Sequence, residues 1–358
     1  MFKAILQAYG LNPQLYQVET LGSGLINRTW KVTGDANVFV LQQINTNVFA
    51  NPQHIADNLH LLADYLKEKS PNYLFAAPLA TLDGQLLVQA EGSFFRLSPF
   101  VAGSKTVDYL TKTSQAYEAA RQFGKFTFLL RELDVNQLKY TLPNFHDLSL
   151  RISQFKQALA KAPQQRKVEA EYAIQQVQQH FTIADLYEQI SKDKLIPLRV
   201  IHHDTKINNV LFDDGDNSLG IIDLDTIMPG YFISDVGDMM RTYLAEANEE
   251  EQDMDKIDIR PNFFSAIYAG YISHMGGSLT TKERELFIYA GKFMIYMQAV
   301  RFLTDFLNGD IYYPVKYDGH NLTRAKNQIK LLELYIQAEP DFVQIINVLN
   351  TSQPTTLQ

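Results

Sequence analysis

The sequence predicts an α+β fold in two unequal lobes. Residues 1–98 alternate short strand-like runs with one amphipathic helix, whereas from residue 99 to 358 apolar positions recur mostly at helical spacing. One β-hairpin, residues 198–226, interrupts that helical half. At 358 residues the chain is long enough for two lobes, each with a core of its own.

Taken in order, Leu21 to Val32 reads as a glycine turn, Gly22-Ser23-Gly24, entering a strand. Gly34-Asp35-Ala36 turns the chain into a second strand, Asn37 to Ile44. Pro52 opens a helix whose apolar positions Ile55, Leu59, Leu62, Tyr65 and Leu66 fall on one face. Leu86 to Val88 and Ser93 to Leu97 form a further strand pair around Gly92, and Ser98 to Gly103 breaks the pattern as a hinge. Helices are then predicted over 109–133, 147–161, 164–192, 235–250, 261–274, 281–308 and 321–338. Glu246 to Asp258 reads as a solvated acidic loop and Thr351 to Gln358 as a frayed tail.

Composition removes several classes of function. A net charge of −8 argues against a nucleic-acid or anionic-membrane partner, because both favour a basic surface. The absence of cysteine excludes disulfides, thiolate metal sites and cysteine nucleophiles. The first ten residues lack the apolar core and cleavage site of a signal peptide, and the apolar run Leu286 to Val300 is short and carries Lys292. The expectation is a cytoplasmic protein with no membrane span.

The chemistry concentrates in the hairpin. His202-His203-Asp204 stands five residues before Asn209, and a second strand delivers Ile221-Ile222-Asp223. A protein-kinase catalytic loop has this spacing: its Asp accepts the proton of the attacking hydroxyl, its Asn reaches a phosphate-bound magnesium, and a later Asp supplies the other metal contact. Phosphoryl transfer depends on such positioning because its loose transition state is stabilised mainly by cations and alignment. Asp204 is therefore the candidate base, Asn209 and Asp223 the candidate Mg²⁺ ligands, and Lys206 a cation placed to neutralise the transferred phosphate. The bland alternative, a hairpin with polar turn residues, explains Asp213 to Asn217 but not the His-x-Asp, the Asn and the Ile-Ile-Asp together. His202 is expected to brace the loop through a backbone hydrogen bond.

The order strands, helix, strands, hinge and helices is that of a bilobal protein-kinase-like fold. In that arrangement Gly22, Ser23 and Gly24 would cover the phosphates of ATP, and Ser98, Phe100 and Val101 would lie against adenine. The lysine of the Val-Ala-Ile-Lys pattern is absent: Phe39-Val40-Leu41 is followed by Gln42 and Gln43, which leaves Gln42 as the phosphate contact and Lys31 or Arg28 as substitute cations. Asp57 is the best-placed carboxylate on the following helix. Loss of the Lys–Glu pair also keeps open a nucleotide-binding pseudokinase. Asp235, Asp238 and Arg241, spaced by three, read as helix capping with an internal salt bridge, and Asn144 to Asp147 as a helix start with His146 toward the cleft. Arg301 to Tyr313 is richer in polar and aromatic groups than a packing helix requires, and such a mixture suits a sugar.

These motifs resemble the aminoglycoside phosphotransferase-like superfamily, and within it the N-acetylhexosamine 1-kinases. Asp204-Thr205-Lys206 with Asn209, Asp223 to Gly230, Phe145-His146-Asp147, Arg301 to Tyr312 and His320 to Ala325 carry the resemblance, which spans both lobes. It implies ATP- and Mg²⁺-dependent phosphorylation of the anomeric hydroxyl of N-acetylglucosamine or N-acetylgalactosamine, with the sugar held at Asp204, Arg301, Asp305 and Tyr312. Another small alcohol or an aminoglycoside is the alternative acceptor. Where the family's glycine-rich loop often reads Gly-His-Ile-Asn, this chain has Gly24-Leu25-Ile26-Asn27, which removes one polar contact.

Overall fold

The computed structural model describes residues 1–22 and 26–352. Ser23, Gly24 and Leu25 of the glycine turn, and residues 353–358 of the expected tail, lie outside the described residues.

The chain begins with helix α1 (Phe2–Ala8), followed by strands β1 (Gln17–Thr20), β2 (Arg28–Thr33) and β3 (Val38–Ile44). Helix α2 (Pro52–Lys69) precedes β4 (Val88–Ala90) and β5 (Ser93–Pro99). These strands make one antiparallel sheet in the order β1-β2-β3-β5-β4. Neither α1 nor β1 was visible in the apolar periodicity; both are short. Because side chains alternate across a strand, the two faces of the sheet have different fates. Val32, Leu41, Phe95 and Leu97 bury one face against Ile5 and Leu6 of α1 in a small core. Each such fully buried Leu or Phe stabilises the lobe by roughly 1.5–3 kcal/mol. Residues one position along, Gln42 and Arg96, face the other way.

Helices α3 (Thr113–Leu129), α4 (Leu148–Lys161), α5 (Gln164–Glu169), α6 (Glu171–Gln179) and α7 (Phe181–Lys192) lead to the central strands β6 (Arg199–Ile201), β7 (Val210–Phe212), β8 (Ser218–Ile221) and β9 (Met228–Gly230). Then come α8 (Phe232–Tyr243), α9 (Pro261–Met275), α10 (Thr281–Glu285), α11 (Phe287–Leu307), α12 (His320–Gln337) and α13 (Glu339–Ser352). The helix expected over 164–192 is three helices, and that over 281–308 is two. The breaks fall at Ala170, His180 and Leu286, whose backbones sit near φ −97 ψ 8, φ −101 ψ 19 and φ −89 ψ 4. Each kink costs one residue and preserves the apolar spacing, so the periodicity carries no trace of it. The helix expected over 235–250 ends at Tyr243 because Arg260 takes its last carbonyls: its backbone N–H donates to Leu244 O (3.1 Å) and its Nη2 to Tyr243 O (2.8 Å).

A second, much larger core joins these helices, and it also receives Ile55, Leu59, Leu62 and Leu66 of α2. Helix α2 is thus docked on the helical half, where Asn58 donates to Lys139 O (2.8 Å) and Ile227 O (3.1 Å). Beyond β5, Lys105 exchanges two backbone hydrogen bonds of 2.8 Å with Phe212, pinning the linker to the hairpin. Among the described residues no helix is long and apolar enough to cross a membrane.

Candidate active site

Strand β6 ends at Ile201, and the next residues turn sharply enough that His203 adopts φ 67. Helix α8 holds this turn in place. Asp235 accepts hydrogen bonds from His202 N (2.9 Å) and His203 N (2.7 Å), and Asp238 accepts one from Thr205 N (2.9 Å). The hydroxyls of Thr205 and Tyr243 donate to Asp235 O (2.9 Å) and Thr205 O (2.5 Å). Asp235 and Asp238 therefore do not cap their own helix, as their spacing had suggested. Their carboxylates lie on its buried face and satisfy loop amides that would otherwise be orphaned. Only the Asp238–Arg241 ion pair (3.0 Å) follows the expectation. Burial pushes the Asp235 carboxyl up to about 6. Gly237, between the two, permits this placement: a Cβ there would stand 2.2 Å from Ala290 O of α11.

Within the loop, His202 Nε2 donates to Ile222 O (2.9 Å), the bracing role expected of it. Asn209 Nδ2 donates to Asp204 O (2.9 Å), and Asn209 O accepts from Ile222 N (2.9 Å), so Asp204, Asn209 and the Asp223 strand end are tied together. The first of those bonds commits the amide nitrogen and keeps the side-chain oxygen, the atom that ligates cations, available. Lys206 Nζ stands 3.4 Å from Asp204 Oδ1. Burial works against the Lys206 charge, but Asp204, Asp238 and Asp223 outweigh it and raise its pKa, so it stays an ammonium. Asp223 adopts φ 58 at the start of the turn Leu224–Thr226. Burial, then Asp225 and Asp204, push its carboxyl up to about 7, with Lys206 and Arg96 acting in the opposite sense. A half-buried carboxylate raised by desolvation and by two others marks a site short of positive charge. Asp223 with the Asn209 oxygen is a hard oxygen donor set of the kind Mg²⁺ prefers, with its remaining ligands coming from phosphates and water. The residues present fit that ion.

The sheet lobe reaches this site through Gln42, the expected phosphate contact, and through Arg96, to which sequence reasoning gave no role. Arg96, 3% exposed, forms an ion pair with Asp225, which is 1% exposed. Gln42 Oε1 accepts from Arg96 Nε (3.1 Å) and Nη2 (2.9 Å). Asn27, just past the glycine turn, donates to Asp225 Oδ2 (2.6 Å) and accepts from Asn45 N (3.0 Å). Of the expected substitute cations, Lys31 shares the sheet face of Gln42 and lies over the Phe100 ring (4.8 Å to its centroid), and Arg28 is exposed. Asp57 is not their carboxylate either, since it pairs with Lys139 across the α2 docking surface. Gly22 is exposed at φ 66, near the start of the β1–β2 connection. Ser98 pairs with Val40 at the end of β5, Phe100 N donates to Val38 O (3.0 Å), and Val101 O accepts from Ser104 Oγ (2.6 Å).

His203, the chain neighbour of Asp204, joins an aromatic cluster. His203 Nδ1 is 3.4 Å from His146 Nδ1, and Phe145 stacks on His146 at 4.3 Å between centroids. Arg301 sits 5.7 Å from the Phe145 centroid and 5.5 Å from that of Tyr313. Burial holds the His203 imidazole down to about 3, and burial with His203, Arg301 and Arg151 holds His146 well below its usual value, so both rings are neutral. Gly230 makes room for the His203 ring, whose Cε1 would be 2.5 Å from a Cβ there. Tyr312 is 70% exposed and edge-on to Tyr313. Asp305 corrects the expectation of a direct sugar contact. It is buried, its oxygens accept from Ile311 N, Tyr312 N, Tyr313 N (2.8–3.1 Å) and Asn321 Nδ2 (3.0 Å), and it holds the loop that presents the tyrosines. The acidic stretch is also more than a solvated loop: Glu249 pairs with Arg241 (2.8 Å), and Glu250 with Lys316 (2.8 Å), His320 (3.1 Å) and Arg324.

A five-stranded sheet over a mostly helical half, with a braced Asp–Asn–Asp hairpin on the helical side, defines the protein-kinase-like phosphotransferase fold. The sequence pattern of APH, the phosphotransferase enzyme family, matches residues 17–260, and the chain belongs to that family. Among solved structures, an aminoglycoside phosphotransferase from Alicyclobacillus acidocaldarius subsp. acidocaldarius DSM 446 is similar at TM-score 0.67 and 12% identity, covering 96% of each chain. Spectinomycin phosphotransferase APH(9)-Ia, in complex with ADP and spectinomycin, is similar at TM-score 0.59 and 14% identity, covering 94% of this chain and 97% of its own. Choline kinase from Cryptosporidium parvum Iowa II is similar at TM-score 0.56 and 14% identity, covering 97% and 98%. At these identities the likeness is one of fold.

Proposed function

We propose that the protein is an ATP-dependent small-molecule kinase that phosphorylates the anomeric hydroxyl of N-acetylglucosamine or N-acetylgalactosamine. Residues 1–98 form its nucleotide-binding lobe and residue 99 onward its catalytic and substrate lobe. ATP lies with adenine against Ser98, Phe100 and Val101 and its phosphates beneath the turn that begins at Gly22. Asn209 and Asp223 hold Mg²⁺, which when bound neutralises charge on the phosphates. The Asp204 carboxylate accepts the proton of the sugar O1 hydroxyl. The O1 lone pair forms the new bond to the γ-phosphorus as the bond to the β–γ bridging oxygen breaks, and ADP leaves with that electron pair. Lys206, kept charged beside Asp204, offsets negative charge on the moving phosphoryl group.

The observation that carries the choice of acceptor is the cluster of Phe145, His146, His203, Arg301 and Tyr313, joined to Asp204 through its chain neighbour His203. Aromatic faces suit the C–H faces of a pyranose, and two neutral imidazoles with one guanidinium suit its hydroxyls and acetamido oxygen. A cationic acceptor gains nothing from Arg301 and from Arg151, whose charge also weighs on His146. That disfavours choline or a polycationic aminoglycoside here, although solved structures of similar fold act on such compounds. The test is an ATP-consumption screen over N-acetylhexosamines, free hexosamines, neutral hexoses, choline, aminopropanol and aminoglycosides. The expected result is turnover with the N-acetylhexosamines; turnover confined to the amines would replace this acceptor, and binding of ATP without any turnover would make the protein a pseudokinase.

A further inference from the structure

Position 42, where the Val-Ala-Ile-Lys pattern places its phosphate-binding lysine, holds glutamine, and a kinase without a cation there lacks a counter-charge for the nucleotide. We propose that Arg96, carried on β5 instead of β3, is that phosphate-contacting cation, with Gln42 and Asp225 as its positioning residues. The inference rests on the kinase reading above.

The sheet register is the first support. Gln42 and Arg96 are direct cross-strand partners, flanked by Leu41–Leu97 pointing into the small core, so the guanidinium lies beside the place a lysine at 42 would occupy and on the same face. The second is selection among cations. Arg96 is the only buried basic side chain among the described residues of 1–98; Lys31 is half-buried over the Phe100 ring, opposite Val40 and not Gln42, and Arg28 is exposed. The third is orientation. Gln42 Oε1 takes two N–H groups on one edge of the fork, and Gln42 Nε2 donates to Thr29 Oγ1 (3.4 Å), which fixes the amide the right way round. Asp225 takes the Nη1 end, and a guanidinium has more donors than these contacts use.

This geometry also explains the glutamine. A lysine at 42 would set an ammonium directly across from a guanidinium, and like charges in that relation are destabilising. It would also remove the acceptor that orients the fork. The counter-ion has moved in the same way: it comes from Asp225, two residues beyond Asp223, instead of from α2, whose Asp57 is engaged with Lys139. Asn27 joins the same carboxylate, so the arginine, the metal-facing strand end and the foot of the glycine turn meet at one hub. An ion pair serving only to join the lobes would need none of this, since apolar residues of equal volume commonly replace such pairs at no loss of stability.

The test compares ADP with adenosine, which share the base and ribose and differ in the phosphates, by calorimetry on the full-length protein with and without Mg²⁺. Arg96→Met is expected to weaken ADP binding about tenfold or more and leave adenosine binding unchanged, and to lower kcat/KM for ATP by about 10²–10³. Arg96→Met/Gln42→Lys, which returns the cation to β3, is expected to regain part of the lost ADP affinity. ADP bound as tightly by Arg96→Met as by the wild type, a parallel loss of adenosine binding, or no gain from Gln42→Lys would overturn the assignment. Should Arg96→Met not fold, the charge-keeping Arg96→Lys is read the same way: weaker ADP with unchanged adenosine supports the proposal, and no loss or parallel loss overturns it. A wild type that binds no adenine nucleotide overturns the kinase reading itself, whereas a wild type that binds ADP with Arg96→Met unimpaired overturns only the role of Arg96.

Discussion

His203 at φ 67 and Asp223 at φ 58 hold backbone conformations that cost a side-chain-bearing residue of order 1–3 kcal/mol each. Both belong to the candidate site, and both are over-determined by their surroundings: His203 by the Asp235 carboxylate and the space above Gly230, Asp223 by the Ile222–Asn209 backbone bond. The roles proposed for Asp204 and Asp223 separate cleanly by measurement. Asp204→Asn is expected to lower kcat by about 10²–10⁴ while leaving ADP affinity near the wild-type value, because that carboxylate handles the acceptor proton. Asp223→Asn is expected to abolish the Mg²⁺ dependence of ADP binding; the reverse pattern would exchange the two assignments. The raised Asp223 carboxyl adds a pH dependence. Mg²⁺ must displace its proton, so metal-dependent ADP affinity is expected to fall as pH drops below about 7 and to level off above it. Calorimetry across that range checks the sign, and an affinity flat between about pH 5.5 and 7.5 would place the metal elsewhere. Asp204, Asn209 and Asp223 were legible in the sequence because they flank one hairpin at fixed spacing. Arg96 was not: its partners Gln42 and Asp225 are remote in sequence, and only sheet register and lobe packing bring them together.

At the scale of elements, α8 is the scaffold of the Asp204 loop and the acidic loop ties that scaffold to the segment that carries Tyr312 and Tyr313. Asp238 holds Thr205 N and pairs with Arg241, Arg241 pairs with Glu249, and the neighbouring Glu250 grips Lys316, His320 and Arg324. Burial works upward on Glu250, but its bonds to Lys316 and Arg324, with His320 beside them, outweigh it and hold its carboxyl down to about 2. Arg324 in turn donates to Pro314 O (3.1 Å), behind the loop that presents Tyr312 and Tyr313. Glu250→Ala is expected to raise the acceptor KM by about tenfold or more and leave the ATP KM unchanged, since misplacing a positioning loop by an ångström can cost up to about 10²-fold. Steady-state kinetics with each substrate varied in turn checks this, and an equal rise in both KM values would contradict it. Helical periodicity located most of the elements of this half. It could not locate the kinks at Ala170, His180 and Leu286, which conserve spacing, nor the end of α8, which is set by Arg260 from 16 residues away.

Over the whole molecule, the sheet's two faces divide the work. One closes a small core with α1; the other turns Gln42 and Arg96 toward Asp225, while α2 sits on the helical half and Lys105 fastens the linker to β7. Polar contacts around the hairpin, together with the apolar stripe of α2, therefore join the sheet to the helical half. The alternation of strands with one helix and the later run of helices made this order legible. The docking of α2 was not, because its apolar stripe says only that it is buried and not against what. The central claim is transfer of the γ-phosphoryl group of ATP to an anomeric oxygen. It is tested most directly by phosphorus NMR of the products formed from ATP, Mg²⁺ and N-acetylglucosamine or N-acetylgalactosamine. The account predicts ADP and a new phosphomonoester signal coupled to the anomeric proton of the sugar. A signal coupled to protons at another carbon, or no sugar phosphate while an amine-bearing alcohol is phosphorylated instead, would contradict it.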